Sequence, residues 1–397
     1  MNVELIRSEA EFFALREQWN ALVDAAAYPN VFTTWDWQTA WWNWYGKNTD
    51  HGELFVLTLR NDDELVGIVP FYRRRRRTPF FLGKHLNFLG FGGRTCPEYL
   101  GPIVRQEFVG EVADATVEFL RSNPTGWDSL FIEDYALDDP ATVALAERLR
   151  SAFASYSGPG EIRYILPLFE NYEAYLLSLG IHNRKRKRLR MNQAKKRYDA
   201  HTEYRNADDI DEWFPTVVQL TTEARTRHGQ TSPFLEPDYA GFHRDVLQAL
   251  LPQDRALIQF LYFENQPVAV WYAFLLNEKC YAYQQGFRHN VKGAPGDVGT
   301  FFLLEHLMER GFKEFDFLRG LEWYKTSFTQ QFRETVWMYA FRKPGLGFLL
   351  RRCLDLAARP LAKKIRRYLA GTPAVQSPLL QGEGEGEEYS APHHPSP

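Results

Sequence analysis

Cysteine is scarce in this sequence: three residues, Cys96, Cys280 and Cys353, are spread over 397 positions. An odd number of distant cysteines supports neither a disulfide framework nor a zinc site of paired ligands, so we expect a protein of the reducing cytoplasm. Long apolar runs are also missing. Acidic residues interrupt the N-terminus before a signal peptide could form, and no stretch offers about eighteen uninterrupted apolar residues. The sequence therefore predicts neither secretion nor a membrane span.

An excess of charge of one sign is lacking too. The formal net charge is -3, whereas dedicated nucleic-acid binders present a net basic surface, so any anion site must be local. The Gly-x-Ser-x-Gly elbow and the phosphate-binding P-loop are absent, which argues against a serine hydrolase or an NTPase. The histidines, among them His182, His228, His289 and His306, do not have the spacing of metal ligands, and no metal is predicted.

Apolar and aromatic residues are abundant, at 45% and 15% of the chain, and they are enough for two hydrophobic cores. The motif SGPG at 157–160 interrupts the pattern and predicts a domain boundary. We expect one domain over 1–160 and a second over 161–344. A basic amphipathic helical segment follows at 345–370, and the acidic low-complexity composition of 371–397 predicts a disordered tail.

The same order of elements occurs in both halves. Strands are predicted at 54–60 and 65–71, with a helix at 110–122 and another strand at 127–133. In the second half, strands at 257–263, 267–274 and 279–286 precede a helix at 299–309 and a strand at 315–319. A short meander, a helix and a returning strand in each half predict two mixed α/β sheets.

A glycine-bearing loop joins the strand ending at 286 to the following helix. Backbone amides in such a loop can approach a pyrophosphate, and the helix adds the positive end of its dipole, as an acyl-CoA site requires. The alternative is a simple turn with a helix cap. The residues predicted to bind the cofactor are Arg288, Gly293, Gly296, Asp297, Gly299 and Thr300.

The run from Tyr281 to Lys325 combines PGDVGT (295–300), EFDFLRG (314–320) and EWYK (322–325). It resembles the BioF2-like acetyltransferases of the GNAT superfamily, a group that includes the CelD/BcsL proteins associated with cellulose and exopolysaccharide production. The likeness extends upstream through FTTW (32–35) and LNFLG (86–90) to about residues 1–342. More distantly, the chain is similar to the Fem-type peptidyltransferases. The GNAT cofactor signature is not present in clean form, because Arg288 is followed by a longer, proline-interrupted loop.

The resemblance implies α/β architecture with two tandem GNAT-like domains, each a mixed twisted sheet flanked by helices in a FemAB-like arrangement. It also implies direct acyl transfer from acetyl-CoA or another acyl-CoA, with a backbone N–H near the end of the 281–286 strand meeting the oxyanion. Glu322 is the preferred general base and Asp316 the second choice. Tyr283 or Tyr324 would protonate the thiolate, and Lys325 would hold a phosphate or an oxyanion.

Each of these assignments has a structural alternative. Asp316 could bond nearby backbone at a strand end, and Glu322 could pair with Arg319 across a turn. The basic run at 184–190, which includes Arg186, could be a solvated helix face or could bind CoA phosphates, a polyanionic acceptor or RNA. Arg319, Trp323, Trp35 and Arg186 are the predicted substrate contacts. For the tryptophans at 35–44, core packing is favoured over sugar stacking, and the arginines at 73–77 are predicted to face mainly solvent.

Three functions are consistent with these residues. The leading one is acetyl-CoA-dependent N- or O-acetylation of a sugar or amino-sugar precursor in cellulose or exopolysaccharide biosynthesis. It would bring a saccharide or other small-molecule acceptor and the polysaccharide-synthesis machinery as partners. A Fem-like transferase would use aminoacyl-tRNA instead, and an inactive member would bind a nucleotide sugar or a partner. The segment 347–369 could contact an anionic membrane, although packing against protein is favoured.

Overall fold

The computed structural model describes residues 1–48, 52–78, 81–226, 229–320 and 323–358. Strands alternate with helices along this part of the chain. The strands are β1 (Asn2–Ile6), β2 (Glu53–Asn61), β3 (Glu64–Thr78), β4 (Phe81–Phe88), β5 (Ile103–Val104), β6 (Ser129–Ala136), β7 (Ala154–Pro159), β8 (Arg163–Pro167), β9 (His201–Arg205), β10 (Ala256–Phe263), β11 (Gln266–Leu276), β12 (Lys279–Phe287), β13 (Glu314–Asp316), β14 (Phe332–Arg333) and β15 (Thr335–Phe341).

The helices cover both sheets and connect their strands. They are α1 (Glu9–Ala14), α2 (Arg16–Asp24), α3 (Trp35–Trp44), α4 (Val109–Ser122), α5 (Pro140–Ala152), α6 (Tyr172–Ser178), α7 (Ile181–Arg197), α8 (Ile210–Thr226), α9 (Pro237–Leu250), α10 (Pro295–Glu309) and α11 (Leu346–Cys353). Short 3-10 turns lie at Val31–Thr33, Gly46–Asn48, Gln106–Phe108, Pro233–Leu235, Leu251–Gln253 and Trp323–Ser327, and a π-helical turn lies at Leu354–Ala358.

The described strands form two mixed sheets. The first has the order β1-β2-β3-β4-β6-β15-β7, with β5 beside β3, and the second has the order β14-β8-β13-β12-β11-β10-β9. Pairing is antiparallel except between β4 and β6 and between β12 and β13. The predicted pair of mixed α/β sheets is therefore confirmed.

β15, the last strand among the described residues, returns to the first sheet. β15 lies between β6 and β7 and pairs antiparallel with both. The second half of the chain thus completes the sheet of the first half, which the boundary predicted at residue 160 does not capture. That division into two domains stays a prediction, with β15 as a strand of the first sheet.

Side-chain burial explains why these segments fold as they do. β10 and β11 are buried on both faces, and their hairpin turns at Glu264 and Asn265, which adopt positive φ values of 48° and 63°. Within α3, Trp37, Trp41 and Trp42 are buried in the main core, so core packing is confirmed for these rings. The fold rests on large aromatic side chains that a short helix delivers between the sheets.

The arginine run at 73–77 was predicted to follow a strand that ends at residue 71, and this prediction is wrong. β3 continues to Thr78, so the run lies within the strand. Arg73 is 11% exposed in its side chain, pairs with Glu53 and donates to the Gly126 carbonyl at 3.0 Å, and Arg74 lies over the Phe91 ring. The prediction of mainly solvent-facing side chains is wrong for Arg73, because the cross-strand neighbours of a long hairpin provide partners for it.

The chain divides into two compact units, Met1–Gly345 and Leu346–Pro397. The described part of the second unit consists of α11 and the π-helical turn, with Arg351 Nε donating to Asp355 Oδ2 at 2.6 Å. Residues 359–370 of the predicted basic segment and the predicted tail at 371–397 lie outside the described residues. Over the described ranges, no helix is long and apolar enough to cross a membrane.

Candidate active site at the splayed strands β12 and β13

The second sheet opens where its two parallel strands separate. β12 and β13 pair only at Lys279–Glu314, Cys280–Phe315 and Tyr281–Asp316. Beyond Tyr281, β12 continues to Phe287 while pairing with β11 alone among the described strands, and Phe317 turns away to bond the Tyr164 carbonyl at 2.9 Å. One edge of β12 is therefore left without a strand neighbour, and its backbone groups face this opening.

α10 begins beside this opening, four residues earlier than predicted. Gly293 and Ala294 adopt positive φ values of 101° and 53° and reverse the chain, and Pro295 occupies the first helical turn. Proline favours that position because its φ is already helical and its missing N–H has no partner to lose. Gly296, Asp297, Gly299 and Thr300 consequently lie within the helix, and the loop predicted over 293–300 is wrong from Pro295 onward.

The glycines and Thr300 hold α10 close to the sheet. A Cβ on Gly293 would lie 2.7 Å from the Tyr198 ring, and one on Gly296 would lie 3.1 Å from the Phe287 ring. Gln285 Nε2 donates to the Gly296 carbonyl at 2.7 Å and to Thr300 Oγ1 at 3.1 Å. Gly299 is buried against Ala269 at ordinary van der Waals distance. These contacts fix the helix N-terminus beside the end of β12.

Arg288 follows β12 directly and carries an unmet donor. Its backbone N–H bonds the Val268 carbonyl at 2.9 Å. Its side-chain Nε is buried and has no hydrogen-bond partner in the described part of the chain. Because a buried unpaired donor is costly, an acceptor supplied by a bound anion would satisfy it.

The basic helix α7 runs alongside α10. Arg190 pairs with Asp297 in the first turn of α10, and Lys195 lies 3.6 Å from Glu305 further along. Arg186 is exposed and donates to Asn183 Oδ1 at 3.0 Å. Asp297 therefore places a negative charge, already paired, at the helix end that was predicted to receive a phosphate.

Lys187 lies on the inner face of α7 and was not singled out by sequence. It is 3% exposed, and its ammonium lies 3.6 Å from the centroid of the Phe328 ring and 4.9 Å from that of Phe301. Burial, together with the smaller effect of the charges of Arg186 and Arg190, lowers the pKa of Lys187 to about 7. The only signal was its helical spacing with Met191 and Ala194, which are also buried.

Asp316 ends β13 and has both carboxylate oxygens engaged. Oδ2 accepts from the Tyr99 hydroxyl at 2.7 Å and from Arg333 Nη1 at 3.0 Å, and Oδ1 accepts from the Leu318 N–H at 2.8 Å. Complete burial raises its pKa to about 6, against the opposing effect of Arg333. The backbone bond to Leu318 is the structural alternative that the sequence offered for this residue.

Arg319 pairs with a carboxylate from the first half of the chain. Its Nε donates to Glu98 Oε1 at 2.6 Å, and its Nη2 lies 3.6 Å from Glu133. Glu98 is almost fully buried and also accepts from Arg163 Nε at 2.8 Å. Glu322, the predicted partner of Arg319 and preferred base, lies outside the described residues.

Glu133 is a carboxylate of β6 that sequence reasoning missed. Its side chain is 31% exposed, and burial raises its pKa while the charge of Arg319 lowers it. No motif marks Glu133 or Glu98, because their partners come from distant parts of the chain. Their pairing with Arg319 could be recognised only in the folded structure.

The two tyrosines of the predicted site differ in their surroundings. The Tyr283 hydroxyl donates to the Thr95 carbonyl, lies 3.3 Å from His243 Nε2, and has a pKa raised well above its ordinary value by burial. Tyr324 is half-buried and packs edge-on against Phe317, with ring centroids 6.4 Å apart. Tyr283 thus contacts a residue of the first half of the chain, whereas Tyr324 packs beside Phe317, where the chain leaves β13.

Lys325 closes the loop that follows β13. It is 2% exposed, and Nζ donates to the carbonyls of Arg319 at 2.9 Å and Gly320 at 3.0 Å, with Leu318 at 3.4 Å. Trp323 begins the 3-10 turn that carries it. The structure therefore assigns the ammonium a loop-holding role, and its contact with a phosphate stays a prediction.

Trp35 lies apart from these residues, at the start of α3. Its Nε1 donates to the Phe12 carbonyl at 3.3 Å, and the Arg16 guanidinium lies over its ring at 5.2 Å. Both partners belong to the N-terminal helices of the first half. Its predicted contact with substrate has no counterpart among these bonds and stays a prediction.

Among the described residues, no group of three His, Cys, Asp or Glu side chains could hold a metal ion. The polar groups that do gather come from both halves: Glu98 and Glu133 from the first, and Tyr283 and Arg319 from the second. They lie near the point where β12 and β13 separate. This arrangement provides charged donors, a carboxylate of raised pKa and a free strand edge at one place.

Residues 183–326 match the family model of the acetyltransferase (GNAT) domain. No curated protein matches the chain in sequence. Among solved structures, FemX is similar with a TM-score of 0.62 at 11% identity, covering 90% of this chain and 100% of that one. L-PGS from Bacillus licheniformis is similar at 0.53 and 13% identity, over 89% and 97% of the two chains. The C-terminal domain of a putative lysylphosphatidylglycerol synthetase from Agrobacterium fabrum follows at 0.51 and 11%, over 87% and 98%.

These similarities confirm the fold and are coarser than the BioF2-like resemblance. The matched region contains the splayed strands, α10 and all but the first two residues of α7, while the structural likeness extends over both sheets. The chain therefore has a mixed α/β fold of two sheets that is similar to that of FemX, and residues 183–326 match the GNAT acetyltransferase domain.

Proposed function

We propose that the protein is an acyltransferase that uses acetyl-CoA or another acyl-CoA as its donor. The observation that carries this proposal is the separation of β12 and β13 beside the N-terminus of α10. The free edge of β12 offers backbone amides to the extended, amide-containing arm of CoA. The unmet donor of Arg288 and the first turn of α10 suit its phosphates.

Transfer would be direct, from the thioester to an amine or hydroxyl of an acceptor held in the same opening. A backbone N–H near the end of β12 would stabilise the oxyanion and lower the activation free energy by about 3 kcal/mol. Tyr283 remains protonated over the physiological range because burial raises its pKa, so it can donate to the departing thiolate. Its present bond to the Thr95 carbonyl would have to exchange for that contact.

The base is proposed to be a carboxylate with a raised pKa. Asp316 is poorly suited, because Tyr99, Arg333 and Leu318 already occupy its oxygens. Glu322 keeps its place from the sequence, and Glu133 becomes its rival because it is partly exposed and has a raised pKa. Glu322→Gln and Glu133→Gln would separate the two if one abolishes turnover and leaves acetyl-CoA binding intact.

The acceptor is proposed to be a sugar or amino-sugar precursor of cellulose or another exopolysaccharide. This part of the proposal comes from the BioF2-like resemblance of residues 281–325 and would make the polysaccharide-synthesis machinery a partner. The release of free CoA in the presence of glucosamine, galactosamine and their nucleotide-activated forms tests it directly. A turnover confined to non-sugar amines would remove the sugar assignment and keep the acyltransferase.

A second candidate is transfer from aminoacyl-tRNA. The observation that favours it is the surface of α7, where Lys185, Arg186 and Lys196 are exposed and meet no carboxylate in the described part of the chain. Because α7 itself packs along α10 through Arg190 and Lys195, a phosphate backbone bound to the exposed face of α7 could lead toward the opening. FemX, whose fold is similar, is one reason to include RNA in the binding tests.

Calorimetric titration with acetyl-CoA, UDP-sugars and tRNA at moderate salt separates the candidates. We expect saturable acetyl-CoA binding that Arg288→Gln weakens. Binding of tRNA with a steep salt dependence, together with no response to millimolar acetyl-CoA, would replace the first candidate with the second.

A further inference from the structure

A groove lies at the end of β8, a strand of the second sheet that pairs with β13. It is bounded by the end of β8, by α6 and the start of α7, and by residues 326–331. Its volume is about 440 Å³, within the range of small-ligand sites. One part of its lining begins directly after Lys325, but the lining does not include Asp316, Arg288 or Tyr283, so the groove is not the opening between β12 and β13.

The lining of this groove is uncharged. None of its fourteen residues is Asp, Glu, Lys, Arg or His, although a chain with 24% charged residues would place about three in a set of that size. The neighbouring face of α7 exposes Lys185 and Arg186. The lining itself offers a charged ligand no ion pair, and the Arg186 guanidinium, which donates to Asn183 Oδ1 at 3.0 Å, lies on the exposed face of α7; the groove therefore favours a neutral ligand.

The floor of the groove is aromatic. Tyr175 and Phe328 are buried, and the Tyr175 hydroxyl donates to the Phe328 carbonyl at 3.3 Å, which holds the two together. Phe169 stands beside them at 36% exposure, with its ring 5.9 Å from that of Tyr175. An exposed ring on a rigid aromatic floor suits the apolar C–H face of a sugar ring.

The rim supplies hydroxyl and amide groups. Ser178 Oγ donates to the Tyr175 carbonyl at 2.7 Å and Gln330 Nε2 to the Thr326 carbonyl at 2.8 Å, so their oxygens stay available as acceptors. The side-chain amide of Gln331 has no hydrogen-bond partner among the described residues, and Asn183 lies opposite on α7. Neutral donors and acceptors around an apolar floor match the alternating hydroxyl groups of a polyol.

We propose that this groove binds a neutral saccharide, with one ring stacked on Phe169 and its hydroxyl groups bonded to the rim. The proposal goes beyond acyl transfer, because binding here requires neither a donor nor the opening at β12. It would give the protein a means of holding an oligosaccharide outside the opening between β12 and β13.

The test is a titration of the full-length protein with maltotriose and cellotriose, followed by saturation-transfer NMR and calorimetry, with trigalacturonate as the charged comparison. We expect saturable binding of at least one neutral trisaccharide and weaker binding of trigalacturonate. Phe169→Ala should weaken the neutral interaction about fivefold and Gln331→Ala about threefold. The matched control is Tyr204→Ala, a similarly exposed ring (39%) that lies outside the groove and should leave the affinity unchanged.

Three outcomes would overturn the proposal. They are the absence of saturable binding by both neutral sugars, equal binding of trigalacturonate, and affinities that neither Phe169→Ala nor Gln331→Ala changes. Circular dichroism of each variant ensures that a lost affinity is not a lost fold. Acetyl-CoA titration of the same samples reports separately on the acyltransferase, so the failure of one proposal leaves the other measurable.

Discussion

Buried cations have different surroundings in two regions of the molecule. At the junction of the sheets, Arg163 and Arg333 are nearly inaccessible, and each meets two or more carboxylates. Along α7 and α10, the Lys187 ammonium faces phenylalanine rings, and the buried Nε of Arg288 has no partner among the described residues. The arginines that are paired with carboxylates stabilise the fold. Lys187, which faces rings, can respond to protons, and Arg288, whose Nε is unpaired among the described residues, can respond to anions.

The largest expected effect is at the junction. Glu98→Gln leaves Arg163 and Arg319 without the carboxylate they share, so the free energy of unfolding should fall by about 3 to 5 kcal/mol in urea denaturation. Glu147→Gln, on an exposed position of α5, is the control and should change it by less than about 0.5 kcal/mol. A Glu98→Gln protein as stable as the control would mean that paired charge does not hold the junction.

Lys187 should make stability depend on pH. Its pKa falls from the ordinary 10.5 to about 7 in the folded protein, so the unfolded chain binds more protons between these values. The free energy of unfolding should therefore rise with pH through this window, by about 2 kcal/mol between pH 7 and 9. Below pH 7 the lysine is protonated in both states, and the full cost of burying its charge remains.

Lys187→Met should remove this rise, while Lys185→Met, on the exposed face of the same helix, should keep it. Urea unfolding at four pH values from 6.5 to 9 measures both. Parallel pH profiles for wild type and Lys187→Met would show that the rings stabilise the ammonium enough to cancel its burial cost.

On the α10 side, Arg288→Gln should weaken acetyl-CoA binding about tenfold, because a charge-assisted bond to a phosphate is lost. Arg310→Gln, at the opposite end of α10 and paired with Asp254, is the matched control and should keep the wild-type dissociation constant in calorimetry. Equal affinities of the two variants would mean that the phosphates bind elsewhere. The unpaired Nε of Arg288 would then have no part in binding acetyl-CoA.

Local pattern predicted much of the fold. The hairpin of β10 and β11 consists of two largely apolar, almost continuously buried strands around a polar turn, and α4 has a single apolar face, so both could be predicted from neighbouring residues alone. The start of α10 was missed because the glycines suggested a loop, although Pro295 is a strong signal for a first helical turn. The return of β15 to the first sheet has no local signature.

The candidate site was harder to predict, because its polar contacts join distant residues. Glu98 lies 65 positions from Arg163 and 221 from Arg319, and no spacing rule connects them. Asp316 was found because it ends a strand, yet its partner Tyr99 comes from the other half. Lys187 was hidden in a basic run, where charge suggests solvent and only helical periodicity indicates burial.

The smallest expected effect concerns the one acid in the first turn of α10. Asp297 was predicted to bind the cofactor, but its carboxylate pairs with Arg190, and both side chains are about one-third exposed. Asp297→Asn should release Arg190 and remove a negative charge from the helix N-terminus, which would tighten acetyl-CoA binding about twofold to threefold. Glu305→Gln, two turns along and near Lys195, is the control and should have no effect. Weaker binding by Asp297→Asn would instead mean that the carboxylate itself contacts the ligand, so that even a paired charge on this side serves binding.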